Sequence, residues 1–95
     1  MTKQELIHVL TEKSEDLTVN DARTVVGIIL DSMADGLAEG KRVEIRGFGS
    51  MSLRYRAPRR GRNPKTGAIV HVPGKYFPHF KPGRELRERV DTLSD

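Results

Sequence analysis

The chain has 95 residues, 36% of them apolar and none of them cysteine; it can form one domain with a modest core and no disulfide or thiolate metal site, which leaves a partner subunit to supply further burial. No stretch approaches the roughly 18 apolar residues of a membrane span, and MTKQELIHVL lacks the charged lead, apolar run and cleavage site of a secretory signal, so a cytoplasmic protein is expected. The net charge of +4 is unevenly divided, with three Lys/Arg against eight Asp/Glu in residues 1–40 and fourteen against five in residues 41–95.

Thr2-Lys3-Gln4-Glu5 fits a capping box, in which a hydroxyl and a carboxylate satisfy backbone donors at a helix start. Leu6, Ile7 and Leu10 then recur on one face and predict a first helix over roughly residues 3–14. Thr18-Val19-Asn20-Asp21 opens a second helix in the same way, and Ala22, Val25, Val26, Ile29, Leu30, Met33 and Leu37 form its apolar stripe up to a stop at Gly40. Gly27 and Gly36 within it cost helix propensity, so close packing is their expected use. The stripe is wide for so short a chain, which again points to a partner.

From residue 41 the period becomes two. Val43 and Ile45 alternate with Arg42, Glu44 and Arg46, and Met51, Leu53 and Tyr55 alternate with Ser50, Ser52, Arg54 and Arg56. The apolar phase slips across Gly47-Phe48-Gly49, which predicts a tight hairpin turn there. A third strand starts near Ala68, is interrupted at Pro73-Gly74 and resumes through Tyr76, Phe77, His79 and Phe80. After Pro82-Gly83 a short helix is expected over residues 84–90, buried through Leu86 and Val90, with Glu85 and Arg89 as a favourable i,i+4 pair. The order is ααβββα in a single α+β domain: residues 1–40 a helical body, 41–81 a three-stranded sheet with an arm at about 54–75, and 82–95 a final helix and tail.

The arm is where the core-like alternation fades. Arg54, Arg56, Arg59, Arg60, Arg62 and Lys65 stand there with no acid among them, interspersed with Pro58, Gly61, Asn63, Pro64 and Gly67. Such a segment buries too little to join a core and should project as a two-stranded ribbon. About ten extended residues reach roughly 33 Å, so the ribbon can leave the body and follow a ligand. A cationic ribbon suits a polyanion, and a pI near 9.8 adds weight to nucleic acid without saying which kind. Arginine is drawn into the DNA minor groove, and an apolar wedge such as proline can unstack a base step. Asn63-Pro64 is first of all a turn dipeptide, however, and the residues alone favour the turn over the wedge.

Gly47-Phe48, Met51, Arg56, Arg59, Gly61 and Asn63-Pro64-Lys65-Thr66 have the order and spacing of the bacterial HU and integration host factor family, which the chain resembles over essentially its whole length. GKYFPHFKPGRELR, Gly74 to Arg87, together with Glu44 and Arg46, is more similar to the beta branch of integration host factor than to HU. The resemblance implies an intertwined dimer with a helical body and a long β-ribbon arm from each subunit. Its ligand would be double-stranded DNA, and its partner a related alpha subunit or a second copy of the chain. It also implies that Pro64 intercalates to kink the duplex; integration host factor and HU are themselves standing examples of minor-groove architectural binders, so the wedge comes with the family and not from the residues. Met51 occupies a position where the family usually has phenylalanine.

Contacts to DNA are expected from Arg56, Arg59, Arg60, Arg62, Asn63 and Lys65 on the arm, and from Thr2, Lys3, Arg42, Glu44, Arg46, Lys75, Lys81 and Arg84 on the body. Thr2, Lys3 and Arg84 stand at helix starts, where free amides attract phosphate. Glu44 is an acid among cations, and orienting Arg42 and Arg46 is the role favoured for it. Phe48, Met51 and Phe80 are expected in core or dimer packing, as are Tyr76 and Phe77. No enzyme, cofactor or metal is expected: Pro64 stands where a P-loop ending in Lys65-Thr66 needs glycine, and His8, His71 and His79 match no zinc spacing. The rival readings are a nonspecific HU-type packaging homodimer and a basic RNA-binding protein; the latter lacks the exposed sheet aromatics that RNA readers use.

Overall fold

The computed structural model describes residues 1–93; residues 94 and 95, the end of the expected tail, lie outside that range. Helix α1, Lys3–Lys13, starts at Thr2, whose hydroxyl accepts the Glu5 N–H at 3.1 Å. The return bond expected from the Glu5 carboxylate is not formed; at an exposed helix end, water serves that carboxylate equally well. Helix α2, Val19–Ala38, has the complete capping box: Thr18 Oγ1 accepts the Asp21 N–H at 3.1 Å, and Asp21 Oδ2 accepts the Thr18 N–H at 3.2 Å. It ends in a Schellman motif. Gly40 takes a φ of +81°, the Lys41 N–H reaches the Gly36 carbonyl and the Gly40 N–H reaches that of Leu37, each at 2.9 Å.

Strands β1 (Val43–Ile45), β2 (Gly49–Arg56) and β5 (Lys75–Pro82) form an antiparallel sheet in the order β1-β2-β5. The predicted turn between β1 and β2 closes through a Phe48 N–H to Ile45 carbonyl bond of 3.0 Å, with Gly47 at φ +82°, the sign that a type II turn places at its third residue. Strands β3 (Arg59–Arg62) and β4 (Ile69–Val72) pair separately as a ribbon. The expected three strands are therefore three along the path of the chain, with two of them interrupted. Ala57-Pro58 and Pro73-Gly74 face each other between the rungs Arg56↔Lys75 and Arg59↔Val72. Proline has no N–H to donate, so both strands lose the ladder at the same height.

Residues that face each other across antiparallel strands share a face. One face carries Glu44, Ser50 and Lys81 in a row, then Ser52 with His79, Arg54 with Phe77, and Arg56 with Lys75. The opposite face carries Val43, Met51 and Phe80, then Leu53 with Pro78, and Tyr55 with Tyr76. The sheet is thus basic on one side and apolar on the other. Its apolar side meets α2, where a Cβ on Gly36 would lie 3.8 Å from a Val43 methyl.

Burial within the single chain is small. Among the described residues only Ile7, Ala22 and Val26 are buried, with Leu6 and Leu10 packed against them. Of the expected stripe on α2, Val25, Ile29 and Leu30 stay exposed, and Ile28 beside them is 61% exposed. Gly27 has no neighbour for a Cβ to meet, and Gly36 makes only ordinary contact, so neither is closely packed within the chain. Phe48 and Phe80 pair at 5.6 Å between ring centroids, yet remain 49% and 41% exposed. Helix α3, Arg84–Asp91, buries nothing: Leu86 is half-buried, Val90 is exposed, and the ion pair formed is Arg84–Glu88 at 2.9 Å instead of Glu85–Arg89. The accessible surface of 8299 Å² is half as large again as the roughly 5,500 Å² of a compact monomer of this mass. The sheet covers only part of the α2 stripe, much of the apolar surface of α2 and α3 is left without cover in its own chain, and the projecting arm adds to the exposed area.

Candidate nucleic-acid interface

The arm projects as its composition requires. The radius of gyration is 18.8 Å and the longest extent 57 Å, against about 12–13 Å for the radius of gyration of a compact domain of this length. At its tip, Asn63 Oδ1 accepts the Lys65 N–H at 2.9 Å and the Asn63 carbonyl accepts the Gly67 N–H at 2.7 Å. The Asn63 N–H donates to the Ala68 carbonyl at 2.8 Å, which closes the loop. Both ends of the tip are held, and Pro64 stands exposed between them. The turn is therefore present, and it is also what presents the proline ring.

Register divides the arm cations. Arg60 and Arg62 share a face with His71 and Ile69, whereas Arg59 lies on the other face with Gly61, Val70 and Val72. Gly61 leaves room for its neighbours, since a Cβ there would come 3.2 Å from a Val72 methyl. At the root, Tyr55 and Tyr76 pair at 5.0 Å on the apolar side, and Arg56 and Lys75 face each other on the basic side.

The body contributes a second basic feature. An open recess of about 290 Å³ is lined by Arg42, Glu44, Arg46 and Lys81 together with Ser50 and Gly83. Four expected contact residues meet there, three from the β1 segment and Lys81 from β5, and Arg42 Nη2 donates to Ser50 Oγ at 3.3 Å. Beside it the Gly83 N–H donates to the Phe48 carbonyl at 2.9 Å, which docks the start of α3 against the β1–β2 turn. Among the described residues Glu44 forms no ion pair with Arg42, Arg46 or Lys81, so the orienting contact is not made in the free chain. Thr2 and Lys3 line no part of the recess and stand exposed at the start of α1. Arg84 is engaged by Glu88. Among the described residues no cluster of His, Asp or Glu could hold a metal ion, and no helix is long and apolar enough to cross a membrane.

Two residues that the sequence alone does not single out for this surface are Arg54, an arm cation, and Phe77, expected in packing; pairing across β2 and β5 puts them opposite each other on the basic face. Alternation along each strand carries that signal once the register is known.

The sequence profile of bacterial DNA-binding proteins matches residues 1–91. The chain belongs to the bacterial DNA-binding protein family. Members of this family are architectural proteins and not enzymes. The chain is 62% identical over 93 residues to integration host factor subunit beta of Azoarcus sp. (strain BH72), a match covering 98% of this chain and 99% of that protein. It is 61% identical over 94 residues to the same subunit of Laribacter hongkongensis (strain HLHK9), covering 99% and 95% respectively. Among solved structures it is similar to an Anabaena HU protein crystallised with DNA, with a TM-score of 0.89 and 34% identity over 98% of this chain and all of that one.

Proposed function

We propose that this chain is one subunit of a nucleoid-associated dimer that grips duplex DNA through the minor groove and bends it by inserting Pro64 from each arm tip. The observation that carries this reading is the exposed Pro64, held at the apex of a cationic ribbon by the hydrogen bonds that Asn63 accepts from the Lys65 and Gly67 N–H groups. A rigid ring without a donor can enter a base step and leave no polar group unsatisfied, while Arg60, Arg62 and Lys65 neutralise the flanking phosphates. Arg56, Arg59 and Lys75 continue the track along the arm, and Arg42, Arg46 and Lys81 receive the bent flanks on the body. Thr2, Lys3 and Arg84 act as clamps at helix starts.

The dimer partner is a related alpha chain or a second copy of this one. Support for a partner is the uncovered apolar surface of Val25, Ile28 and Ile29 on α2, of Phe48 in the β1–β2 turn and of Phe80 on β5. Identities above 60% to beta subunits of integration host factor favour the alpha chain and a site-selective bender over a nonspecific packaging homodimer. Minor-groove edges separate A·T from G·C and little more, so selection comes from the ease of kinking and narrowing a site. Sharp bends of this kind would serve site-specific recombination, replication and transcription by bringing distant DNA segments together.

End-to-end fluorescence transfer on a duplex, with and without a candidate alpha chain, tests the reading. The wild type is expected to shorten the end-to-end distance and Pro64→Ala to lose most of that change while still binding. If Pro64→Ala bends as sharply as the wild type, the wedge is lost; if structured RNA competes as well as duplex, the DNA reading is lost.

A further inference from the structure

Phe77 stands on the basic face of the sheet, away from the apolar face that carries Tyr55, Tyr76 and Phe80. Its neighbours two residues away on its own strand are Lys75 and His79, Arg54 lies directly opposite, and the Arg56 guanidinium carbon sits 4.9 Å from its ring centroid. Phe77 is half-buried without belonging to the cluster of Ile7, Ala22 and Val26, so cationic side chains provide part of its cover. The chain has no acid between Glu44 and Glu85, and no described acid pairs with Arg54 or Arg56. Arg56, though exposed, therefore has this ring and no acid beside its guanidinium among the described residues.

An aromatic residue on a solvated basic face gains little from burial, but a ring under a guanidinium offers a cation–π contact and restricts an otherwise flexible side chain. Restriction before binding reduces the entropy lost when the guanidinium meets a phosphate. We propose that Phe77 is a positioning residue: its ring pre-orders Arg56 at the root of the arm, so that the guanidinium meets the DNA backbone already extended along the sheet. This rests on the DNA-binding reading above. It adds to that reading a group that carries no charge and need not touch DNA.

The test measures duplex affinity over a range of salt concentrations for the intact dimer carrying Phe77→Leu, Phe77→Tyr, Arg56→Ala, or both Phe77→Leu and Arg56→Ala. Phe77→Leu is expected to raise Kd about two- to fivefold, the equivalent of one exposed cation–π contact, without changing the salt slope. Phe77→Tyr restores affinity, Arg56→Ala lowers the salt slope by about 1, and adding Phe77→Leu to Arg56→Ala changes nothing further. In the free protein the Arg56 δ-protons should show an upfield ring-current shift that disappears in Phe77→Leu. The proposal is overturned if Phe77→Leu binds like the wild type, if it weakens binding equally in the Arg56→Ala background, or if the ring-current shift is absent. A wild type with no salt-dependent duplex binding would instead remove the DNA reading itself, an outcome visible before any variant is compared.

Discussion

Asn63 and Lys65 are joined across Pro64: the Asn63 side-chain oxygen accepts the Lys65 backbone N–H at 2.9 Å. Proline supplies no donor, so the tip is ordered by this bridge together with the Gly67 N–H to Asn63 carbonyl and Asn63 N–H to Ala68 carbonyl bonds. Asn63→Ala removes one hydrogen bond, worth about 1 kcal/mol, and leaves the tip loose. Bending measured by fluorescence transfer should fall while affinity changes by less than tenfold. An unchanged bend would show that the tip needs no pre-ordering.

The arm root has no spare volume at Gly74. A Cβ there would overlap the Tyr55 hydroxyl and lie 2.9 Å from Pro58 Cδ. Tyr55 can swing aside, but the proline ring cannot, so Gly74→Ala should change the angle at which the ribbon leaves the sheet. We expect reduced bending and weaker duplex binding with the melting temperature within a few degrees of wild type, since α1 and α2 pack elsewhere. A large drop in melting temperature would mean that the root also stabilises the body.

Arg60 and Arg62 share one face of the ribbon, and no acid pairs with either among the described residues. If each meets one phosphate, single alanine substitutions should lower the slope of log affinity against log salt by about 1 each. The double substitution should lower it by about 2. Unchanged slopes would place these side chains in bulk solvent.

The apolar face on α2 predicts a dimer that charge can break. Ile28 is 61% and Ile29 52% exposed in the single chain, and Ile29→Asp would bury an unpaired carboxylate in any interface that covers them. Sedimentation at fixed protein concentration should show a shift from dimer to monomer, and DNA affinity should fall with it. Ile7→Ala provides the contrast: it opens the buried cluster within one chain, at about 2–5 kcal/mol.

Local chemistry made much of the fold legible. Thr18 and Asp21 announced the start of α2, Gly40 its end, Gly47 the hairpin, and the alternation from Val43 to Tyr55 the strands; each of these depends on groups a few residues apart. The arm was legible for the same reason, because a segment from Arg54 to Gly67 with six cations and no acid has nothing to bury. The candidate contact residues could be picked out only as types: Arg42, Glu44, Arg46 and Lys81 stand out as charged residues of the sheet region, but their meeting in one recess depends on the pairing of β1 with β2 and of β2 with β5.

What composition and short-range pattern determined by themselves was the element order, the charge asymmetry, the projecting ribbon and the family signature. The tertiary structure alone decided which side of the sheet each cation occupies, that Phe77 lies under Arg56, and that the two proline breaks face each other. Those outcomes rest on strand register, and register is set by which apolar faces find cover: a slip of one residue would move every side chain to the other side of the sheet.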